Sequence, residues 1–395
     1  MSSFSRKLLY YLRRFGRGWR RQRMRWGLVR HLPVNVAAYR GFANTGSIYL
    51  TGRLLRGAAI ISEWGDGPWR NLVNNLRRFN SREVNQAEIE VEFEGRTFHL
   101  TTDAEGYFRI DQPLEPPLGK VQDHSPFWHT AFIRVNKVPD EPLTLTASAD
   151  VLIPLRACLG IISDIDDTVL KTDVTGLLKL RTIYLTLLKN AGSRLAFRQV
   201  SAFYRSLQAG PDAVHNNPFF YVSNSPWNLY DLLADFLDLN ELPRGPILLR
   251  DFGLPYEDRP ANYPGHKHAI TRRIIQTYPE LPFVLIGDSG EKDTDIYLSI
   301  AREFPGRISA IYIRDVLSPQ RARRVSKLIE KEARVPCLLI RHYDEAARHA
   351  ADLRLCSLPV FEQLAARGSG LPTFKLPVRR QQPIDNDYSD RNHQY

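Results

Sequence analysis

From about residue 155 onward, short apolar runs alternate with longer stretches that have helical periodicity. The runs are apolar on both faces, which is typical of strands buried in a parallel sheet between two layers of helices. Strands are predicted at 159–163, 219–222, 247–249, 283–286, 308–313 and 337–340, with helices between them at 227–238, 268–278, 294–304 and 318–333. The sequence therefore predicts an α/β fold with a doubly wound, mostly parallel sheet over residues 151–355.

Residues 35–150 have a different pattern, in which short alternating runs are separated by Gly, Asn and Pro turns. The runs at 47–54, 87–93 and 96–100 predict strands, and their spacing predicts a β-sandwich domain. Residues 139–142 and 147–150 are turn-rich and predict a seam between the two halves, although a strand at 143–146 could close the sandwich. The Gly-, Pro- and polar-rich residues 366–395 predict a disordered tail.

Residues 1–32 predict a basic arm that forms an amphipathic helix. Residues 1–30 hold ten Lys or Arg and no Asp or Glu, and their aromatic side chains fall opposite the arginines on a helical wheel. Such a helix can bind an anionic membrane surface, while a nucleic-acid arm, an organelle-targeting peptide and a helix docked on its own protein remain alternatives. The other 365 residues hold 44 basic and 43 acidic side chains, which argues against an extended nucleic-acid groove.

The spacing of the cysteines and the length of the apolar runs indicate the cellular compartment of the protein. The spacing of Cys158, Cys337 and Cys356 fits neither a zinc site nor a disulfide framework, which favours a reducing environment. No run of 18 apolar residues is long enough to span a bilayer. The sequence therefore predicts a cytoplasmic protein, or one held at a membrane face from one side.

Polar side chains follow the first four predicted strands, and the carboxyl ends of parallel strands meet at one edge of a sheet. They are Asp164, Asp166, Ser223, Lys267, Asp288 and Asp293. Converging carboxylates need a cation, and oxygen ligands favour Mg²⁺. A carboxylate nucleophile, a hydroxyl and an ammonium beside such a metal are the groups that phosphoryl transfer uses. The pair Asp164 and Asp166 alone would fit a capped strand-to-turn junction equally well.

Together with Thr168, these four motifs resemble those of the haloacid dehalogenase superfamily of aspartate-nucleophile phosphatases. The sequences at 164–168, 221–227 and 286–293 resemble more closely the catalytic domain of the actin-patch type of phosphatidate phosphatase. The resemblance covers about 155–355, roughly half of the chain. In this superfamily a cap is inserted between the first two motifs, which corresponds here to residues 171–210.

The resemblance implies a role for each motif residue. Asp164 attacks phosphorus and forms an aspartyl-phosphate, while Asp166 protonates the leaving alcohol and later activates water. Ser223 and Lys267 stabilise the charge on the phosphoryl oxygens. Thr168 stabilises the turn after the nucleophile.

The resemblance also implies a Mg²⁺ site. Its ligands would be Asp164, the backbone carbonyl of Asp166 and Asp288. Asp293 would either hold a metal-bound water or fix Lys267 in place.

The predicted function is that of a Mg²⁺-dependent phosphatidate phosphatase. It would hydrolyse phosphatidate to diacylglycerol and phosphate while residues 1–30 hold it on an anionic membrane. One alternative is a phosphatase of the same type acting on a soluble phosphomonoester or a nucleic-acid end. Another is a membrane-surface adaptor without catalysis.

Overall fold

The computed structural model describes residues 33–57, 82–119, 127–139, 143–154, 157–165, 191–250, 265–290, 292–316 and 318–366. Both halves predicted from the sequence are represented in these ranges. The predicted arm at 1–32, Asp166, Thr168, the predicted cap before residue 191 and the predicted tail after residue 366 lie outside the described residues. What the sequence predicts for these segments therefore stays a prediction.

In the described part of the N-terminal half, nine strands form one hydrogen-bonded mixed sheet. They are β1 (Val34–Ala38), β2 (Gly41–Ala43), β3 (Ser47–Arg56), β4 (Arg82–Glu83), β5 (Glu88–Phe93), β6 (Arg96–Thr101), β7 (Tyr107–Pro113), β8 (Trp128–Lys137) and β9 (Leu145–Leu152). The strand order is β1-β3-β2-β9-β8-β5-β6, with β4 and β7 also paired to β3. Its pairs are antiparallel except that β2 runs parallel to β9.

Alternation along the strands determines which face of this sheet is buried. In β5, Ile89, Val91 and Phe93 join a single apolar core, while the glutamates between them point outward. The predicted strands at 47–54, 87–93 and 96–100 are confirmed. The turn predicted at 147–150 is wrong, because these residues lie inside β9 and pair with β8, where Ala149 faces Ala131 in the core.

In the C-terminal half, the described residues form a six-stranded, wholly parallel sheet. Its strands are β10 (Gly160–Asp164), β11 (Phe219–Pro226), β12 (Ile247–Arg250), β13 (Phe283–Asp288), β14 (Ile308–Arg314) and β15 (Cys337–Ile340). All six predicted strands are confirmed. The order is β12-β11-β10-β13-β14-β15, so the direction of winding reverses between β10 and β13, where α/β proteins of this kind bind ligands.

Helices cover both faces of this parallel sheet. They are α1 (Ala191–Ala209), α2 (Tyr230–Leu239), α3 (His266–Thr277), α4 (Asp293–Glu303), α5 (Pro319–Glu332), α6 (Tyr343–Asp352) and α7 (Leu358–Ala366), and a 3-10 turn (Trp227–Leu229) precedes α2. Apolar residues of α1, α2, α6 and α7 share one core with the sheet, while α3, α4 and α5 share a second core with it. The predicted doubly wound arrangement and its four predicted helices are confirmed.

The two halves pack directly against each other. Phe42 and Tyr49 of the N-terminal sheet lie in the same apolar cluster as Phe220 of β11 and Tyr278 after α3. The Tyr278 hydroxyl donates a 3.1 Å hydrogen bond to the carbonyl of Ala43. Among the described helices, none is both long and apolar enough to cross a membrane.

Candidate active site

Two buried carboxylates mark the carboxyl ends of the central strands. Asp164 is the last residue of β10 and Asp288 is the last residue of β13, and each is 1% exposed. Ser163 pairs in register with Ile286, so the two strands end at nearly the same level. The sequence prediction that these side chains meet at one sheet edge is confirmed.

A buried lysine joins this pair to a third carboxylate. The Nζ atom of Lys267 lies 2.9 Å from Asp164 Oδ1 and 2.9 Å from Asp293 Oδ1. Lys267 is the second residue of α3, which begins after Gly265, whose φ of 94° lies in a region that L side chains rarely adopt. The glycine turn therefore allows α3 to start where its first turn delivers the ammonium group to the strand ends.

Asp293 is held from both sides at the start of α4. Its Oδ1 accepts the hydrogen bond from Lys267, and its Oδ2 accepts one of 3.3 Å from the backbone N–H of Asp288. A Cβ at Gly287 would lie 2.7 Å from Asp293 Oδ2, so only glycine allows this close approach. Of the two roles implied for Asp293, the structure shows the contact that fixes Lys267.

Ser223 reaches the same edge from the neighbouring strand. Its neighbour Val222 pairs in register with Asp164, so Ser223 lies one residue beyond the end of β10. The side chain is buried, and its hydroxyl oxygen accepts a 2.8 Å hydrogen bond from the backbone N–H of Ser225. Four of the predicted site residues with a described structure thus reach the same edge of the sheet from four different elements: Asp164 from β10, Ser223 from β11, Lys267 from α3 and Asp288 from β13.

Burial makes these acids difficult to ionise. It is the largest cause that raises the pKa of Asp288 to about 7, and the negative charge of Asp164 adds to the effect. Burial also raises the pKa of Asp293 to about 6, although the positive charge of Lys267 opposes this rise. Among the described residues, the site therefore holds more negative charge than Lys267 alone can balance.

The donor set fits a bound cation. Asp164, Asp288 and Asp293 are buried, and one oxygen from each lies within 4.8 Å of the others. Carboxylate oxygens are ligands for hard cations, and a cation would also lower the pKa values that burial raises. The structure therefore supports a metal site at these three residues without identifying the metal.

Sequence reasoning missed two residues that shape the site. Gly287 admits Asp293, as described above, and Ser289 ties the loop after β13 to the next strand. The Ser289 hydroxyl accepts a 3.0 Å hydrogen bond from the N–H of Val316, and its own N–H donates to the carbonyl of Arg314 at 2.9 Å. Both residues lie in the quoted motif at 286–293, but only the fold shows what they touch.

The fold and the site together define a class. The described residues form a doubly wound α/β unit that carries a buried cluster of carboxylates and one lysine at its topological switch point. Proteins of this class can bind an anionic group next to a cation at this position.

Part of the chain is similar to a family of known proteins. Residues 159–315 match the family described as "Phosphatidate phosphatase APP1, catalytic domain". Phosphatidate phosphatase APP1 of Saccharomyces cerevisiae is 34% identical over 175 residues, which are 44% of this chain and 28% of that protein. The resemblance predicted from the motifs is confirmed, and the match to a catalytic domain supports the prediction of an enzyme.

A second relative covers more of the chain. An uncharacterized protein of Schizosaccharomyces pombe is 30% identical over 222 residues, which are 56% of this chain and 35% of that protein. The chain thus spans about a third of the length of these curated relatives. A solved structure of a carbohydrate acetylesterase from Xanthomonas citri aligns with 73% of this chain over 70% of its own chain. Its TM-score of 0.22 at 11% identity is too low to indicate a shared fold.

Proposed function

We propose that this protein is a Mg²⁺-dependent phosphatidate phosphatase that hydrolyses phosphatidate to diacylglycerol and phosphate. The observation that carries the proposal is the buried contact of Lys267 with both Asp164 and Asp293, with Asp288 beside them at the strand ends. This arrangement lies within the segment that matches a phosphatidate phosphatase catalytic domain.

The reaction proceeds in two steps. A carboxylate oxygen of Asp164 attacks phosphorus, the bond to the lipid alcohol breaks, and an aspartyl-phosphate forms while Asp166 protonates the leaving oxygen. Asp166 then takes a proton from water as the water attacks the aspartyl-phosphate, which releases phosphate and restores Asp164. Lys267 and Ser223 stabilise the negative charge on the phosphoryl oxygens, and Thr168 stabilises the turn that carries Asp166.

Asp164, the backbone carbonyl of Asp166 and Asp288 would hold the Mg²⁺ ion. When bound, the ion supplies positive charge that favours the ionised carboxylates and neutralises the phosphoryl group. Asp293 stabilises the site indirectly, because its contact with Lys267 keeps the ammonium group beside Asp164.

The remaining parts of the proposal concern the rest of the chain. The parallel sheet is of the haloacid dehalogenase type with a cap at 171–210, and the N-terminal sheet is a β-sandwich. Residues 1–30 hold this cytoplasmic protein on an anionic membrane, where the lipid substrate lies.

The deciding measurement is Mg²⁺-dependent phosphate release from phosphatidate in mixed micelles, beside release from an aryl phosphate. Asp164→Asn removes the nucleophile and should abolish both activities. Asp295→Asn is the matched control, because Asp295 lies two residues after Asp293 but pairs on the surface with Arg324 at 2.8 Å. This control should retain both activities.

The substrates from which phosphate is released distinguish the proposed function from its two alternatives. Release from the lipid that requires Mg²⁺ and Asp164 supports a phosphatidate phosphatase. Release that depends on Asp164 but occurs only with the aryl phosphate would keep the mechanism and move the substrate to a soluble phosphomonoester or a nucleic-acid end. No release from either, with a cellular role that survives Asp164→Asn, would support the adaptor.

A further inference from the structure

Ser223 lies in the irregular last part of β11, residues 223–226, called the Ser223 loop below, and strand pairing does not by itself set its position. Val222 pairs with Leu248, and the next pair joins Pro226 to Arg250. Four steps along β11 therefore correspond to two steps along β12, and residues 223–225 leave the register of the sheet. Irregular strand segments of this kind occur beside active sites, where they redirect a side chain, and their position depends on contacts outside the ladder.

The residues that directly follow this loop contact the N-terminal half of the protein. The ring of Tyr39 stacks on the ring of Trp227 with centroids 4.3 Å apart. It also meets the ring of Tyr230 at 4.6 Å, and the Tyr230 hydroxyl accepts a 2.9 Å hydrogen bond from the backbone N–H of Arg40. Tyr39, Trp227 and Tyr230 are all buried, so residues four and seven positions after Ser223 are packed against the other half of the protein.

A buried arginine makes the third contact. Arg53 of β3 donates from Nη1 to the side-chain oxygen of Asn228 at 2.9 Å. Its other contacts with described residues lie in the N-terminal half: Nε donates to the Glu105 carbonyl at 2.9 Å, Nη2 lies 3.5 Å from Glu83, and the guanidinium lies 4.5 Å above the ring of Tyr107. Because Arg53 is fixed on its own side, it can hold Asn228 in one place.

We infer that the N-terminal half positions the Ser223 loop, which binds the phosphoryl group, with Arg53 and Tyr39 as the positioning residues. The inference rests on the proposed function, because it takes Ser223 to bind the phosphoryl group. It gives the N-terminal sheet a role in the reaction: the enzyme needs both halves, because one half completes the site of the other.

The test combines kinetics with hydrogen exchange on the full-length protein. Asn228→Ala removes the acceptor but leaves Arg53 with its partners in the N-terminal sheet. It should lower kcat/KM for an aryl phosphate about 10-fold, because a small displacement of a binding group is costly. It should also speed amide exchange in a peptide covering 222–230. In a Ser223→Ala background it should have no further effect on kcat/KM, because the two residues act through one interaction.

Two tyrosines provide a matched pair. Tyr230→Phe and Tyr278→Phe each remove one hydroxyl that bonds to the backbone at 40–43 of the N-terminal sheet. The two residues are equally buried, each at 7% exposed, but only Tyr230 follows the loop of Ser223. Tyr230→Phe should therefore speed exchange at 222–230 and lower kcat/KM, whereas Tyr278→Phe should leave both unchanged.

The outcomes separate this inference from the proposed function. Unchanged exchange at 222–230 in Asn228→Ala and Tyr230→Phe would overturn the inference, whether or not the enzyme is active. Faster exchange with unchanged kcat/KM would also overturn it, since the contacts would then hold a loop that the reaction does not need. Equal losses in Tyr230→Phe and Tyr278→Phe would likewise overturn it, because they would reflect a general loss of stability rather than a displaced loop. Absence of Asp164-dependent hydrolysis in the wild type would instead count against the proposed function, and exchange alone would then decide whether the sheet holds the loop.

Discussion

The two sheets use the same charged residue types in opposite ways. On the N-terminal sheet, Lys137 lies 3.2 Å from Glu88 and Arg134 lies 3.2 Å from Glu90, and the basic side chains are 69% and 57% exposed. At the edge of the parallel sheet, Lys267 is 2% exposed, and the side chains of Asp164 and Asp293 that it contacts are fully buried. Exposed pairs add little to stability, whereas buried charges must be matched by their neighbours. Burial, rather than residue type, therefore marks the site.

The largest expected effect comes from removing the buried ammonium. Lys267→Met leaves the buried carboxylates of the site without the ammonium group that balances part of their charge. Phosphate release should therefore fall by about 10²–10³-fold. The free energy of unfolding should fall by about 3 kcal/mol. Lys137→Met is the control from the exposed pair and should change that free energy by less than about 1 kcal/mol. Similar losses in the two variants, measured by urea unfolding, would remove the distinction between the sheets.

The next prediction concerns the close approach of Asp293 to Gly287. A Cβ at Gly287 would lie 2.7 Å from Asp293 Oδ2 and 2.8 Å from the ring of Tyr297, so Gly287→Ala should cost about 1–3 kcal/mol of unfolding free energy. Because Asp293 must move, activity should fall as well. In the N-terminal sheet region, Gly46→Ala meets nothing closer than 3.8 Å and should have little effect on either. Full activity of Gly287→Ala would mean that Asp293 does not need its present position.

A smaller effect concerns pH. Burial raises the pKa of Asp288 from 3.8 to about 7, so the folded protein holds this proton more tightly than the unfolded chain does. Without a cation, stability should therefore fall as the pH rises from about 4 towards 7. Mg²⁺ binds the ionised form, so the rise in Tm that it causes should be larger at pH 8 than at pH 5.5.

Thermal unfolding with and without Mg²⁺ at the two pH values measures this difference. Asp288→Asn should reduce the pH dependence of the shift, while Asp293, whose pKa burial raises to about 6, keeps part of it. An equal Mg²⁺ effect at both pH values in the wild type would place the ion elsewhere.

The smallest effect concerns the faces of β8. Phe132 is 61% exposed, and Phe132→Thr should change the free energy of unfolding by less than about 0.5 kcal/mol. Its neighbour Ile133 is 1% exposed, and Ile133→Thr should cost at least about 2 kcal/mol, because a hydroxyl replaces packed apolar atoms. Urea unfolding of both variants would check the assignment. A large loss in Phe132→Thr would show that the outer face of this sheet is covered.

The parallel sheet could be predicted from the sequence almost completely. Its strands are apolar on both faces, so hydrophobic runs located all six, and the prediction that polar residues meet at their ends followed from the parallel direction. The turn-rich composition at 147–150 gave a wrong prediction, because pairing with β8 overrides the local preference of these residues for a turn.

What the sequence determined by itself was therefore local: the order of strands and helices, and the residue types at the strand ends. Only the tertiary structure decided that Lys267 contacts both Asp164 and Asp293, which lie 103 and 26 positions away in the chain. It also brought Arg53 to Asn228, 175 positions later, although neither residue belongs to a recognisable motif. The physical reason is that periodicity and turn chemistry act between neighbours in the chain, whereas burial, pKa and long-range contacts depend on which surfaces the folded halves enclose.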